Sequence, residues 1–116
     1  MITLFLIHIT LNALGDAFNQ TRGQTIGHGM NALGVLALLL LPVVGYNYPL
    51  WVAITMYVLL RFALFDYFHN MITGQDWYYH SPLHAYGKLL NKIGPWPEAI
   101  LKVASFLTAF LILRLC

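Results

Sequence analysis

Four long apolar segments make up most of this sequence, and charged side chains rarely interrupt them. Hydrophobic residues fill 59% of the 116 positions and charged residues 9%, whereas a soluble domain carries about 25% charged residues. A chain of this size keeps much of its surface in contact with its surroundings, and six basic and four acidic side chains cannot cover that surface in water. The composition excludes an ordinary soluble domain, a disordered chain and a nucleic-acid-binding protein. It predicts an integral membrane protein.

The lengths of the apolar segments predict one all-α membrane domain over residues 1–116, a bundle of three to four transmembrane helices. One span needs about 20 residues, and the segments at approximately 2–18, 26–44, 50–70 and 97–115 are close to that length. Between the last two segments, Ser81 and Pro82 are typical of a helix start. They predict a short amphipathic helix over approximately 82–93 that lies in the membrane surface.

The polar residues of these segments gather toward one membrane face. Residues at a spacing of three to four share one side of a helix, and alternate segments cross the membrane in opposite directions. The end of the first segment, the start of the second and the end of the third therefore meet at one face. The polar residues at or below that face are His8, Asn12, Asp16, Asn19, His28, Asn31, Arg61, Asp66, His69 and Asn70.

This polar group predicts a site, because an ionisable side chain inside a membrane segment costs about 3 kcal/mol and is a candidate for function. The candidate acid–base catalytic residues, which are also the candidate ligands of a divalent zinc, manganese or iron ion, are Asp16, His28, Asp66 and His69. The candidate anion-binding residues are Arg61, Asn31 and Asn70. A polar site open to the interface favours an anionic lipid head group. We therefore expect binding, hydrolysis or transfer at a phospholipid or polyprenyl phosphate.

Other functions fit the same residues. The polar groups can serve only to hold the helices together, through interhelical hydrogen bonds of about 0.6–2 kcal/mol each. The chain is then a non-catalytic small subunit or assembly factor of a larger membrane complex. A third interpretation is a small holin-like pore made of several copies, and a fourth is a site that conducts a proton or small ion. The partners in these interpretations are membrane lipid, other membrane-protein subunits or the protein itself, and none is a nucleic acid.

The connection between the third and fourth segments is interpreted as interfacial. His80 and His84 lie among tyrosines and are expected to anchor the chain at the membrane surface, and Glu98 with Lys102 is expected to form an exposed ion pair. Basic residues concentrate on one side of the predicted bundle, and cytoplasmic loops usually carry the excess of lysine and arginine. Residues 19–25 and 71–96 are therefore predicted to be cytoplasmic.

Overall fold

The computed structural model describes residues 1–21, 23–41 and 47–115, and all regular structure within these ranges is helical. In chain order, the helices of the described residues are α1 (Ile2–Thr21), α2 (Gln24–Leu39), α3 (Leu50–Thr73), α4 (Ala85–Ile93) and α5 (Pro95–Leu115). Helix α3 is the central element, since α1 and α5 both pack against it. Helix α2 packs on α1, and the short α4 packs on α5. The all-α prediction is confirmed.

Two glycines allow α1 and α2 to approach closely. A methyl group added to Gly15 would lie 2.7 Å from the carbonyl oxygen of Gly27, and one added to Gly27 would lie 2.6 Å from the carbonyl oxygen of Gly15. Neither separation is possible between real atoms, so the two backbones lie too close for a side chain at either position. Small residues serve the same purpose between helices in membranes.

The core lies where α1 and α5 meet α3. Its buried side chains include Phe5 and Ile9 of α1, Met56 and Leu60 of α3, and Ala109 of α5. The outward faces are also apolar, because large side chains such as those of Leu36 on α2 and Val103 on α5 are more than half exposed. The bundle therefore has one internal core and an apolar exterior.

Within the described ranges, two helices are long and apolar enough to cross a membrane: the stretch Ile2–Gln20 within α1 and the whole of α3, Leu50–Thr73. Only 33% and 28% of the residues in their most apolar windows are buried inside the protein. The other residues in those windows are partly or fully exposed.

Two predicted helix boundaries are wrong. The second segment was expected to continue to residue 44, but α2 ends at Leu39 and residues 40 and 41 form a turn. Pro42 explains this end, because proline disfavours the helical conformation of the residue before it. The end of that predicted segment, residues 42–44, lies outside the described residues.

The surface helix starts later than expected. Helix α4 begins at Ala85, and His84 before it is extended, with φ −109° and ψ 148°. The side-chain oxygen of Ser81 accepts the backbone N–H of Leu83 at 3.3 Å, so it stabilises a local turn instead of capping the helix.

Candidate functional site

Five side chains from three helices and a loop form a compact polar cluster, here called the His80 cluster. Its members are Asp66 of α3, His80 of the α3–α4 connection, Tyr86 of α4, and Glu98 and Lys102 of α5. Three of them, His80, Glu98 and Lys102, are buried, with exposed fractions of 6%, 2% and 7%. Burial of so many ionisable groups costs free energy unless they neutralise one another. The stability of the cluster therefore depends on the contacts among its members.

The imidazole of His80 lies between two carboxylates. Its Nε2 makes a hydrogen bond with Oε1 of Glu98, and its Nδ1 lies 3.8 Å from Oδ2 of Asp66. Both ring nitrogens therefore face an acidic group, one from α5 and one from α3. A histidine held in this way can accept, hold or release a proton between the two carboxylates.

Lys102 and Tyr86 complete the cluster. The ammonium Nζ of Lys102 lies 3.0 Å from Oδ2 of Asp66 and 3.4 Å from Oε1 of Glu98, so it bridges the two carboxylates. The hydroxyl of Tyr86 donates a hydrogen bond to the same Oδ2 of Asp66 at 2.7 Å. Partial burial raises the pKa of Tyr86 above its ordinary value, and the hydrogen bond to Asp66 raises that pKa further. Tyr86 is therefore a neutral hydrogen-bond donor at physiological pH.

Hydrogen bonds to the backbone hold the loop that carries His80. The side-chain amide of Asn70, itself buried, donates to the carbonyl oxygens of Trp77 at 3.2 Å and Tyr79 at 2.9 Å. The amide of Asn91 donates to the carbonyl oxygen of His80 at 3.1 Å. Gly87 of α4 leaves no room for a side chain, because a methyl group there would overlap the Ser81 carbonyl oxygen. The loop is thus attached to α3 and α4 on both sides of His80.

Asp66, His80 and Glu98 have the composition of a metal-ligand set. One ligand atom from each lies within 4.8 Å of the other two, close enough for all three to contact a single ion. Imidazole nitrogen and carboxylate oxygen are the ligands of zinc and of other divalent transition metals. The ammonium of Lys102 contacts both carboxylates, so it supplies the positive charge that a metal ion would bring.

Two cavities border the His80 cluster at Asp66. A polar cleft of about 320 Å³ is lined by Asp66, His80 and Tyr86 together with His69 and His84. A second cavity of about 480 Å³ is lined by Arg61, Asp66, Tyr86 and the apolar side chains of Val58 and Phe62. Asp66 and Tyr86 line both cavities. A ligand with a polar head and an apolar body could therefore occupy both while contacting the cluster.

A separate polar network connects α1, α2 and α3. His8 bonds the Gly34 carbonyl oxygen through Nδ1 at 2.9 Å and the Tyr57 hydroxyl through Nε2 at 2.8 Å. Arg61 donates from Nη1 to Tyr57 at 3.4 Å and to Oδ1 of Asn12 at 2.6 Å.

The network continues from Asn12 to an acidic end. The Asn12 amide donates to Asn31 at 2.7 Å, and Asn31 donates to Oδ1 of Asp16 at 3.2 Å. Each polar side chain in this series has a partner on another helix. The series therefore stabilises the contact of the three helices.

The four residues predicted to act in acid–base catalysis lie in different parts of the protein. Asp66 belongs to the His80 cluster, and His69 lines the polar cleft, where its ring nitrogen accepts a 3.4 Å hydrogen bond from the Gln20 amide. Asp16 lies at the end of the three-helix network, and His28 is exposed on α2. The geometry brings Asp66 and His69 to one cleft, and it gives Asp16 a different set of contacts.

The predicted anion-binding residues are also separated. Arg61 and Asn31 belong to the three-helix network, and Arg61 in addition lines the second cavity. Asn70 uses both donors of its amide on the loop carbonyls of Trp77 and Tyr79.

Two interpretations of the loop and α5 are wrong. His80 is buried and does not anchor the surface, and Glu98 with Lys102 is not an exposed pair. The reason is tertiary packing. The side of α5 that carries Glu98 and Lys102 packs toward Asp66 of α3, and His80 of the loop contacts both Asp66 and Glu98. The sequence contained an indication of this burial. Glu98 and Lys102 are charged residues in an otherwise apolar segment, and the free-energy cost of such residues inside a membrane segment is the same cost that made Arg61 a candidate.

Comparisons with protein-family models, with curated proteins and with solved structures find no match to this chain.

Proposed function

We propose that this chain is an integral membrane protein that binds a divalent metal ion through Asp66, His80 and Glu98 and acts there on the head group of an anionic lipid. The observation that carries the proposal is the convergence of three buried or half-buried metal-type ligands from α3, the loop and α5 within 4.8 Å. The apolar exterior of the bundle supports the membrane location, and the polar cleft beside these ligands supports action on a head group.

The apolar exterior supports integration into a membrane with three to four spans. Besides α1 and α3, the helix α5 exposes large apolar side chains along its length, including Ile100, Leu107 and Leu111. In water such a surface costs about 25 cal/mol for every Å² of apolar area, whereas in hydrocarbon it costs nothing. Helix α4 carries Lys88 and Lys92 exposed beside the exposed Leu89, as expected for a helix at the membrane surface.

The polar cleft supports chemistry at a head group. A bound divalent ion would polarise a phosphoryl oxygen and lower the pKa of a bound water, which is the usual basis of metal-assisted hydrolysis and transfer. Around it, the Tyr86 hydroxyl donates to Asp66 and holds that ligand in place, and His69 and His84 line the cleft through which a head group would approach. These residues bind and orient, and His69 is placed to accept or release a proton.

The metal site is tested by Zn²⁺ affinity of the purified protein in lipid nanodiscs, measured by competition with a chelator. We expect one ion per chain and a loss of affinity of at least tenfold in His80→Gln, because an imidazole ligand is removed. His84→Gln is the matched control, since His84 lines the same cleft from an exposed position outside the ligand set. An equal loss in both variants, or no bound ion in the native protein, would refute the metal site.

A further inference from the structure

A third cavity, of about 550 Å³, lies between α3 and α5 and is here called the α3–α5 groove. Most of the side chains that line it are apolar or aromatic, and they include Ala63 and Tyr67 of α3, Trp77 of the α3–α4 connection, and Ala99 and Phe106 of α5. None of its lining residues also lines the polar cleft or the second cavity. The groove is therefore a separate space on another flank of α3.

Lys102 is the one charged residue among the described residues that line the α3–α5 groove. Its ammonium is already neutralised by contacts with Asp66 and Glu98, so it offers no free charge to a ligand. The remaining lining is hydrocarbon and aromatic rings. The groove therefore suits an apolar, uncharged ligand.

Three aromatic rings meet at the end of the groove nearest the α3–α4 connection. The ring centre of Trp77 lies 5.9 Å from that of Trp96 and 6.3 Å from that of Tyr67. Tryptophan and tyrosine concentrate where the head groups of a bilayer meet its hydrocarbon. In the proposed membrane location, this end of the groove therefore lies at the level of the lipid head groups.

The groove extends from this aromatic end along α5. Its lining residues on that helix run from Trp96 to Phe106, which is about 15 Å of helix at 1.5 Å per residue. That length is about half of the 30 Å hydrocarbon core, the depth that the chains of one leaflet fill. The groove is also continuous with the apolar exterior of α5, because the lining residues Trp96 and Val103 are 73% and 60% exposed.

We propose that the α3–α5 groove binds one acyl chain of a phospholipid from the leaflet next to the α3–α4 connection. This inference rests on the proposed membrane location and is independent of the proposed metal site. A cavity of about 550 Å³ that extends over about 15 Å is about 7 Å wide, whereas an α-helix with its side chains is about 10 Å wide. The space therefore fits a flexible hydrocarbon chain and is too narrow for a partner helix.

The experiment uses phosphatidylcholine with bromine atoms on its acyl chains, because bromine quenches tryptophan fluorescence at short range and this head group carries no net charge. The purified protein in detergent carries Trp51→Phe, so its fluorescence comes from Trp77 and Trp96, which both line the groove. We expect quenching that saturates at one bound lipid per chain. Quenching that only rises in proportion to the lipid content of the micelle would overturn the inference.

Three variants in the same background test the position of the chain. Ala99→Leu should remove the saturable quenching, because the larger side chain fills the groove. Val103→Phe narrows the groove from an exposed position and should weaken the quenching without unfolding the protein, as circular dichroism checks. Ala104→Leu is the matched control, since Ala104 is exposed on α5 outside the lining residues, and it should leave the quenching unchanged.

The same saturable quenching in Ala99→Leu and Val103→Phe as in the control would overturn the inference. If Ala99→Leu instead turned a dimer into a monomer and left the quenching unchanged, the groove would hold a second copy of the chain and the lipid would be refuted. A folded native protein that stays dispersed in buffer without detergent would refute the proposed membrane location, and this inference with it.

Discussion

The ammonium of Lys102 contacts the same oxygens, Oδ2 of Asp66 and Oε1 of Glu98, that face His80. It neutralises two acidic groups that otherwise repel each other in a buried place. If a metal ion binds to these carboxylates, Lys102 competes with it. One side chain therefore has opposite effects on stability and on metal affinity.

Replacement of Lys102 by methionine tests this competition. We expect Lys102→Met to lower the free energy of unfolding of the metal-free protein by about 3 kcal/mol, because one partner of a buried ion pair is lost. The same variant should bind Zn²⁺ about tenfold more tightly, a gain of about 1.4 kcal/mol. Thermal unfolding in detergent and chelator competition measure the two effects. The exposed Lys88→Met is the control and should change neither; zinc binding in Lys102→Met no tighter than in the native protein would contradict the competition.

At the scale of helices, the close contact of α1 and α2 positions the three-helix network. Asn12 and Asp16 of α1 reach Asn31 of α2 only because Gly15 and Gly27 bring the two backbones together. A separation of these helices would break the hydrogen bonds on which the arginine of α3 depends.

Substitution at Gly15 should therefore destabilise the bundle. We expect Gly15→Ala to lower the free energy of unfolding by about 1–3 kcal/mol, since the added methyl group forces the backbones apart. Gly29→Ala on the open side of α2 is the matched control, because nothing lies within 4 Å of the added methyl group. It should stabilise the helix by about 0.5–1 kcal/mol, the usual difference between alanine and glycine. Equal melting temperatures for the two variants would show that the helices are not in close contact.

The helices were predictable from sequence and the site was not, for a physical reason. A run of apolar residues as long as α3 identifies a helix from local composition alone, and the prediction of 50–70 differs from Leu50–Thr73 only at its end. The His80 cluster joins residues 66, 80 and 98, and its geometry depends on a loop fixed by Asn70 and Asn91. Such long-range contacts leave no periodic pattern. Asp66 was identified because it lies in an apolar segment, whereas His80 lies in a polar connection where a histidine is ordinary.

For the whole molecule, we propose that the His80 cluster lies at the cytoplasmic face, because the predicted topology puts most basic residues on that side. Single cysteines test this orientation after Cys116 is replaced by serine. Cysteine at the exposed Gln75 should react with a membrane-impermeant reagent only from the cytoplasmic side, and cysteine at the exposed Asn47 only from the opposite side. Labelling of both from the same side would contradict the topology.

The central claim is that Asp66, His80 and Glu98 together hold a metal ion, and zinc X-ray absorption spectroscopy of the loaded protein tests it most directly. We expect nitrogen and oxygen ligands at about 2.0–2.1 Å from the zinc ion, no sulfur ligand, and the outer scattering of one imidazole. That imidazole scattering should disappear in His80→Gln and persist in His84→Gln. A spectrum without imidazole in the native protein, or one that His80→Gln leaves unchanged, would contradict the account.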